Sequence, residues 1–76
     1  MTIQETPISG CVLVLPEWHE DERGGFARTW DRDEFARLGF ATGVDQCSVS
    51  RNVRRGTLRG MHYQIAPHEE AKLVRC

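Results

Sequence analysis

Seventy-six residues make room for one small domain, and a chain of this length buries only about 60% of its unfolded surface when it folds. A content of 39% hydrophobic and 28% charged residues excludes disorder and fibrous repetition. Ten Lys and Arg against eleven Asp and Glu give a formal net charge of -1, too little for overall charge to draw the protein onto nucleic acid or an anionic membrane.

In chain order, Met1–Glu5 lacks the basic and apolar segments of a secretory leader, so the cytoplasm is the expected compartment. Gly10 to Leu15 is aliphatic, stops at Pro16 and predicts a strand buried on both faces. Its apolar run, Cys11–Leu15, is far shorter than the roughly 20 residues of a membrane span. Glu17 to Gly25, acidic and ending in glycine, reads as a turn or loop. Phe26 to Trp30 has strand spacing with Phe26, Arg28 and Trp30 on one face. Asp31 then serves as N-cap, with Glu34 three residues on in a capping-box arrangement, for a short helix through Asp33–Leu38 that Gly39 ends.

Val44 to Val53 is expected to be a strand, Arg54-Arg55-Gly56 a turn whose glycine takes a positive φ, and Thr57 to Ile65 the returning strand of a hairpin. Ala66 to Glu70 is a polar connection, and Lys72 to Cys76 begins one more strand. With no repeat, linker or low-complexity tract, residues 1–76 read as one continuous unit whose sheet is not closed by its last strand. Cys11, Cys47 and Cys76 are odd in number, widely spaced and without a CxxC pair, which fits reduced thiols better than a disulfide framework or a zinc site.

The chemistry concentrates in Gly56-Thr57-Leu58-Arg59-Gly60-Met61-His62-Tyr63-Gln64 and in Lys72. A guanidinium, an imidazole and an amide share one segment, with an ammonium on the next. Arginine binds phosphate bidentately, neutral histidine removes a proton near pH 7, and lysine stabilises an oxyanion. The plainer reading makes His62 a core histidine and the arginines solvated charges. Strict alternation would send Arg59 and His62 to opposite faces, so a shared pocket requires Gly60 to mark a bulge or twist. An antiparallel return would carry Lys72 alongside His62.

These motifs carry a resemblance. Asp21-Glu22-Arg23-Gly24-Gly25-Phe26, Gln46 followed by Ser50, the Gly56–Gln64 segment and Lys72-Leu73-Val74-Arg75 stand in the order and spacing of the dTDP-4-dehydrorhamnose 3,5-epimerase family. The chain is similar to that family's N-terminal part along nearly all its length. The resemblance implies a mainly β fold, the N-terminal portion of a cupin-type jelly-roll β-sandwich with one short helix, spanning residues 1–76 with the C-terminal part outside them. It also implies a homodimer that epimerises a nucleotide-linked 4-keto-6-deoxy sugar with no metal or organic cofactor.

Position by position, His62 matches the general base and Lys72 the residue that supports the enolate oxygen. Arg59 matches a substrate-contacting arginine, Arg23 one that helps hold the diphosphate, and Phe26 and Gln46 match positions lining the nucleotide or sugar pocket. The family's proton-donating tyrosine and the carboxylate that orients the base belong to the C-terminal part; Tyr63 is not that tyrosine. Gly25 stands where many members have Phe, Arg28 where many have Glu, and Ser48 where Asn is common.

Three other readings compete. Many cupins bind metal through an HxH pair, but the residue two after His62 is Gln64, and His19 and His68 read as solvated loop residues. Arg51, Arg54, Arg55 and Arg59 form the basic cluster, which lacks the aromatic partners of a nucleic-acid surface. The alternative to an enzyme is a non-catalytic cupin fragment that binds a sugar nucleotide or joins another subunit. Trp18 and Trp30 fit either an interface or packing beneath the sheet.

Overall fold

In the computed structural model, which describes residues 1–76, the chain divides into two units, Met1–Thr42 and Gly43–Cys76. All regular structure lies in the first. β1 (Thr2–Glu5) pairs antiparallel with β2 (Val12–Leu15), with Ile3 opposite Val14 and Glu5 opposite Val12. The alternation of β2 is that of a half-covered strand: Val12 and Val14 are partly buried, whereas Leu13 and Leu15 face out. The expectation of burial on both faces is therefore corrected, because a two-stranded ladder has nothing to cover its second face.

The connection between these strands is held by Thr6. Its hydroxyl donates to the carbonyl oxygen of Cys11 at 2.7 Å and accepts from the Ile8 N–H at 3.2 Å. Gly10, at φ +79°, supplies the left-handed residue that the turn requires.

β3 (Trp18–Asp21) and β4 (Gly24–Ala27) form a second antiparallel pair, with His19 opposite Phe26 and Asp21 opposite Gly24. The stretch read as a loop from Glu17 to Gly25 is thus a hairpin, and Phe26–Trp30 is a strand only as far as Ala27. The polar composition of Trp18-His19-Glu20-Asp21 hid it, since a hairpin exposed on both faces carries no apolar alternation.

α1 (Arg32–Arg37) begins as its sequence dictates. Asp31 is the N-cap, its Oδ1 accepting from the Glu34 N–H at 3.0 Å. The reciprocal half of the capping box is absent, because the Glu34 carboxylate pairs instead with the Met1 ammonium at 3.3 Å. At the other end the Gly39 N–H donates to Ala36 and the Phe40 N–H to Phe35, with Gly39 at φ +82°. This is a Schellman motif, and its usual apolar contact is the ring of Phe40 meeting that of Phe35 edge-on at 5.5 Å. Trp30 approaches Phe35 from the opposite chain direction at 6.2 Å. Phe35, 4% exposed, is the centre of the core.

The second unit contains turns and no ladder. Gly56 takes φ +79° in the expected turn, where the Thr57 hydroxyl donates to the Arg54 carbonyl at 2.7 Å. A second turn is closed by the His68 N–H on the Ile65 carbonyl at 2.8 Å. The expected strands at Val44–Val53, Thr57–Ile65 and Lys72–Cys76 are not formed, and with them goes the expected hairpin. Strand propensity becomes a strand only when a neighbour completes the ladder. Every residue from Gly43 to Cys76 is exposed, Val49 and Val53 almost fully. The content of regular structure is mainly β with one short helix, in keeping with a portion of a cupin-type sandwich.

Candidate functional site

The β3–β4 hairpin is organised by Asp21. Its Oδ1 accepts the Arg23 N–H at 2.8 Å, and its Oδ2 accepts Arg23 Nη2 at 2.6 Å and Nε at 3.1 Å. An aspartate two residues before the N–H it caps closes an Asx-type turn, and Gly24 at φ +129° completes it where a side chain would strain the backbone. The Arg23 guanidinium, and after it the Arg23 N–H, hold the Asp21 carboxyl below the usual carboxylate range. The Asp-x-Arg-Gly spelling therefore encodes a self-paired turn before it encodes any ligand contact.

Register then decides which residues share a face. His19 and Phe26 are directly opposite, and the ladder ends at Trp18 opposite Ala27. Two hollows open here. One, of about 260 Å³, is lined by Met1, Glu17, His19, Phe26, Arg28 and Glu34. The other, of about 240 Å³, is lined by His19, Asp21, Arg23, Gly24, Gly25 and Phe26. His19 and Phe26 belong to both, and the Phe26 ring is 63% exposed, available for stacking. His19, expected to be a solvated loop residue, is exposed as expected but stands on β3 rather than in a loop, and it lines both hollows. The signal that could have found it is the hairpin turn itself, since fixing Asp21 opposite Gly24 fixes His19 opposite Phe26.

The hairpin's remaining positions, Trp18, Glu20, Gly25 and Ala27, form the reverse face. A Cβ placed on Gly25 would stand 3.0 Å from Cε3 of Trp18 and 3.5 Å from Cγ of Glu20. The indole of Trp18, from the neighbouring strand, lies over the glycine and occupies the space a side chain at position 25 would need. Trp30, expected on the face of Phe26 and Arg28, turns to the core beside Phe35 once the strand has ended.

In the second unit Arg59 closes a loop on itself, donating from Nε to the Asn52 Oδ1 at 2.6 Å and from Nη2 to the Arg51 carbonyl at 3.0 Å. Asn52 was not singled out by its sequence context. Gly60 has φ +110° in a segment that forms no strand, so the expected bulge has no strand to interrupt, and the His62 imidazole lies against this glycine: a Cβ on Gly60 would be 3.4 Å from Nδ1. His62 is exposed to solvent. The Lys72 ammonium pairs with Glu70 Oε1 at 3.1 Å, and no ladder joins its segment to that of His62, so the expected antiparallel return is absent. Gln46 is exposed and outside any strand. Cys11, Cys47 and Cys76 are free, exposed thiols. No helix is long and apolar enough to cross a membrane.

With this geometry in place, residues 5–76 match the family model described as dTDP-4-dehydrorhamnose 3,5-epimerase. A dTDP-4-dehydrorhamnose 3,5-epimerase of Shigella flexneri is 34% identical over 77 residues, covering 100% of this chain and 42% of the relative. One from Mycolicibacterium smegmatis is 39% identical over 80 residues, covering 100% and 38%. A dTDP-4-dehydrorhamnose 3-epimerase of Streptomyces niveus is 34% identical over 77 residues, covering 100% and 37%. The chain therefore spans about two fifths of the length of these curated relatives. No solved structure matches it.

Proposed function

Because the chain belongs to the dTDP-4-dehydrorhamnose 3,5-epimerase family, we propose that it is the base-bearing part of an epimerase acting on a nucleotide-linked 4-keto-6-deoxy sugar. The observation that carries this reading is the family match across residues 5–76, which includes the whole Gly56–Gln64 segment and Lys72. In the proposed reaction a hydrogen at C3 or C5 lies next to the C4 ketone. His62 takes it as a proton, and the electron pair of the broken C–H bond moves to the ketone oxygen, giving an enolate that Lys72 stabilises. Return of a proton to the opposite face of the carbon inverts the centre. Arg59 and Gln46 contact the sugar nucleotide, Phe26 stacks against it, and Arg23 contributes to holding its diphosphate. The enzyme requires no organic cofactor or metal in this scheme, works as a homodimer and resides in the cytoplasm.

Solvent exchange separates the base from the rest of the machinery. Incubated with dTDP-4-dehydro-6-deoxyglucose in deuterated water, these 76 residues should take deuterium into the carbons beside the ketone while inverting them slowly or not at all, since the acid of the family lies in its C-terminal part. His62→Ala should remove the exchange. Exchange retained by His62→Ala sinks the base assignment, and full-rate epimerisation by the 76 residues alone sinks the division of base from acid.

A further inference from the structure

The cations named from the sequence are held in two different ways. Arg23 is tied to the Asp21 carboxylate and Lys72 to that of Glu70, each by an ion pair that offsets its charge. Arg59 is held by neutral oxygens instead. Its Nε donates to Asn52 Oδ1 at 2.6 Å and its Nη2 to the Arg51 carbonyl at 3.0 Å, and no carboxylate lies within ion-pair distance of it. Both acceptors precede Arg59 across the Arg54–Thr57 turn, which the Thr57 hydroxyl closes on the Arg54 carbonyl at 2.7 Å. A side-chain closure thus does here what a ladder does in a hairpin, and it brings Asn52 and Arg59 together without any strand.

Nε and Nη2 lie along one edge of the planar guanidinium, so Asn52 and the Arg51 carbonyl occupy that edge and fix the plane. The other edge, Nη1 with the remaining N–H of Nη2, is left for a ligand. Its charge is undiminished, because an amide and a peptide carbonyl orient a cation without neutralising it. On the nucleotide-sugar reading above, in which Arg59 contacts the substrate, we propose that Asn52 is a positioning residue: acting through Arg59, it presents the free edge to substrate oxygens at full positive charge. An aspartate in its place would keep the hydrogen bond and offset the charge, and an alanine would leave the charge and release the plane. The amide meets both requirements.

Two readouts on the full chain test this: the 1H–15N correlation of the arginine Nε–H groups, and the substrate dependence of deuterium uptake by dTDP-4-dehydro-6-deoxyglucose. The Arg59 Nε–H should exchange with solvent more slowly than those of the exposed Arg54 and Arg55, and Asn52→Ala should abolish the difference. The same variant should raise the KM of uptake about tenfold, as loss of a hydrogen bond to a charged group does, with kcat within about twofold. Asn52→Asp should keep the slow Nε–H and still raise KM. In an Arg59→Ala background, Asn52→Ala should add nothing, whereas a purely structural role would persist there. Slow exchange that survives Asn52→Ala, an unchanged KM in Asn52→Ala or Asn52→Asp, or a full Asn52→Ala effect without Arg59 overturns the proposal. The epimerase reading then still stands on uptake that His62→Ala removes. No uptake by the unaltered chain overturns that reading and the proposal with it.

Discussion

Replacing Phe35 by alanine removes the one side chain that the fold buries almost completely, at 4% exposure. Truncating a core phenylalanine costs about 3–5 kcal/mol, the sum of lost transfer energy and the cavity left behind. The upper part of that range applies here, because two edge or tilted ring contacts are lost with it, to Trp30 at 6.2 Å and to Phe40 at 5.5 Å. At about 0.05–0.15 kcal/mol per residue, the Met1–Thr42 unit has about 2–6 kcal/mol of stability in total. The substitution should therefore abolish or nearly abolish the folded population of the Met1–Thr42 unit. Urea unfolding followed by far-UV circular dichroism, with Trp30 fluorescence in a Trp18→Phe background, measures it. Phe35→Leu, which keeps apolar bulk without ring faces, should lose only about 1–2 kcal/mol. A loss below about 0.5 kcal/mol in Phe35→Ala, the range of surface substitutions, would refute a core centred on this ring.

Gly25→Ala places a methyl group 3.0 Å from Trp18 Cε3, so the indole must swing away; Trp18 fluorescence should shift to longer wavelength, and an unchanged spectrum contradicts the packing of Trp18 over position 25. The Asp31 carboxyl lies below its ordinary value of 3.8, first through the Glu34 N–H and then through Asp33, Arg28 and Arg37. A group whose folded pKa is depressed contributes stability above its unfolded value and loses it as pH falls through the folded one. The helix signal of the wild type should accordingly fall below about pH 3.8, and Asp31→Asn, which keeps an acceptor oxygen but no titrating charge, should show a flatter acid arm. The comparison between the two proteins is the measurement; parallel acid arms contradict the cap's electrostatic role.

Asp31 and Gly39 bound the helix correctly from spelling alone, because a cap joins a side chain or a left-handed residue to backbone groups two to five positions away. The Gly56 turn was legible for the same reason. Of the site residues named from the sequence, Arg23 and Phe26 line one hollow of the hairpin and His62 lies against Gly60. What needed tertiary structure is everything that depends on a partner strand. Register set His19 opposite Phe26, and neighbouring ring packing laid Trp18 over Gly25, neither of which the spacing along one strand specifies. Ion pairing turned Glu34 from the capping box to Met1 and left Arg28 loosely held where Arg23 is tied. From Val44 to Cys76 the mixed residues with little helical periodicity, the Gly56 turn and the short apolar run after Lys72 predicted strands, but a strand exists only when its N–H and C=O groups find a ladder, and that is settled by residues distant in sequence rather than by the segment itself.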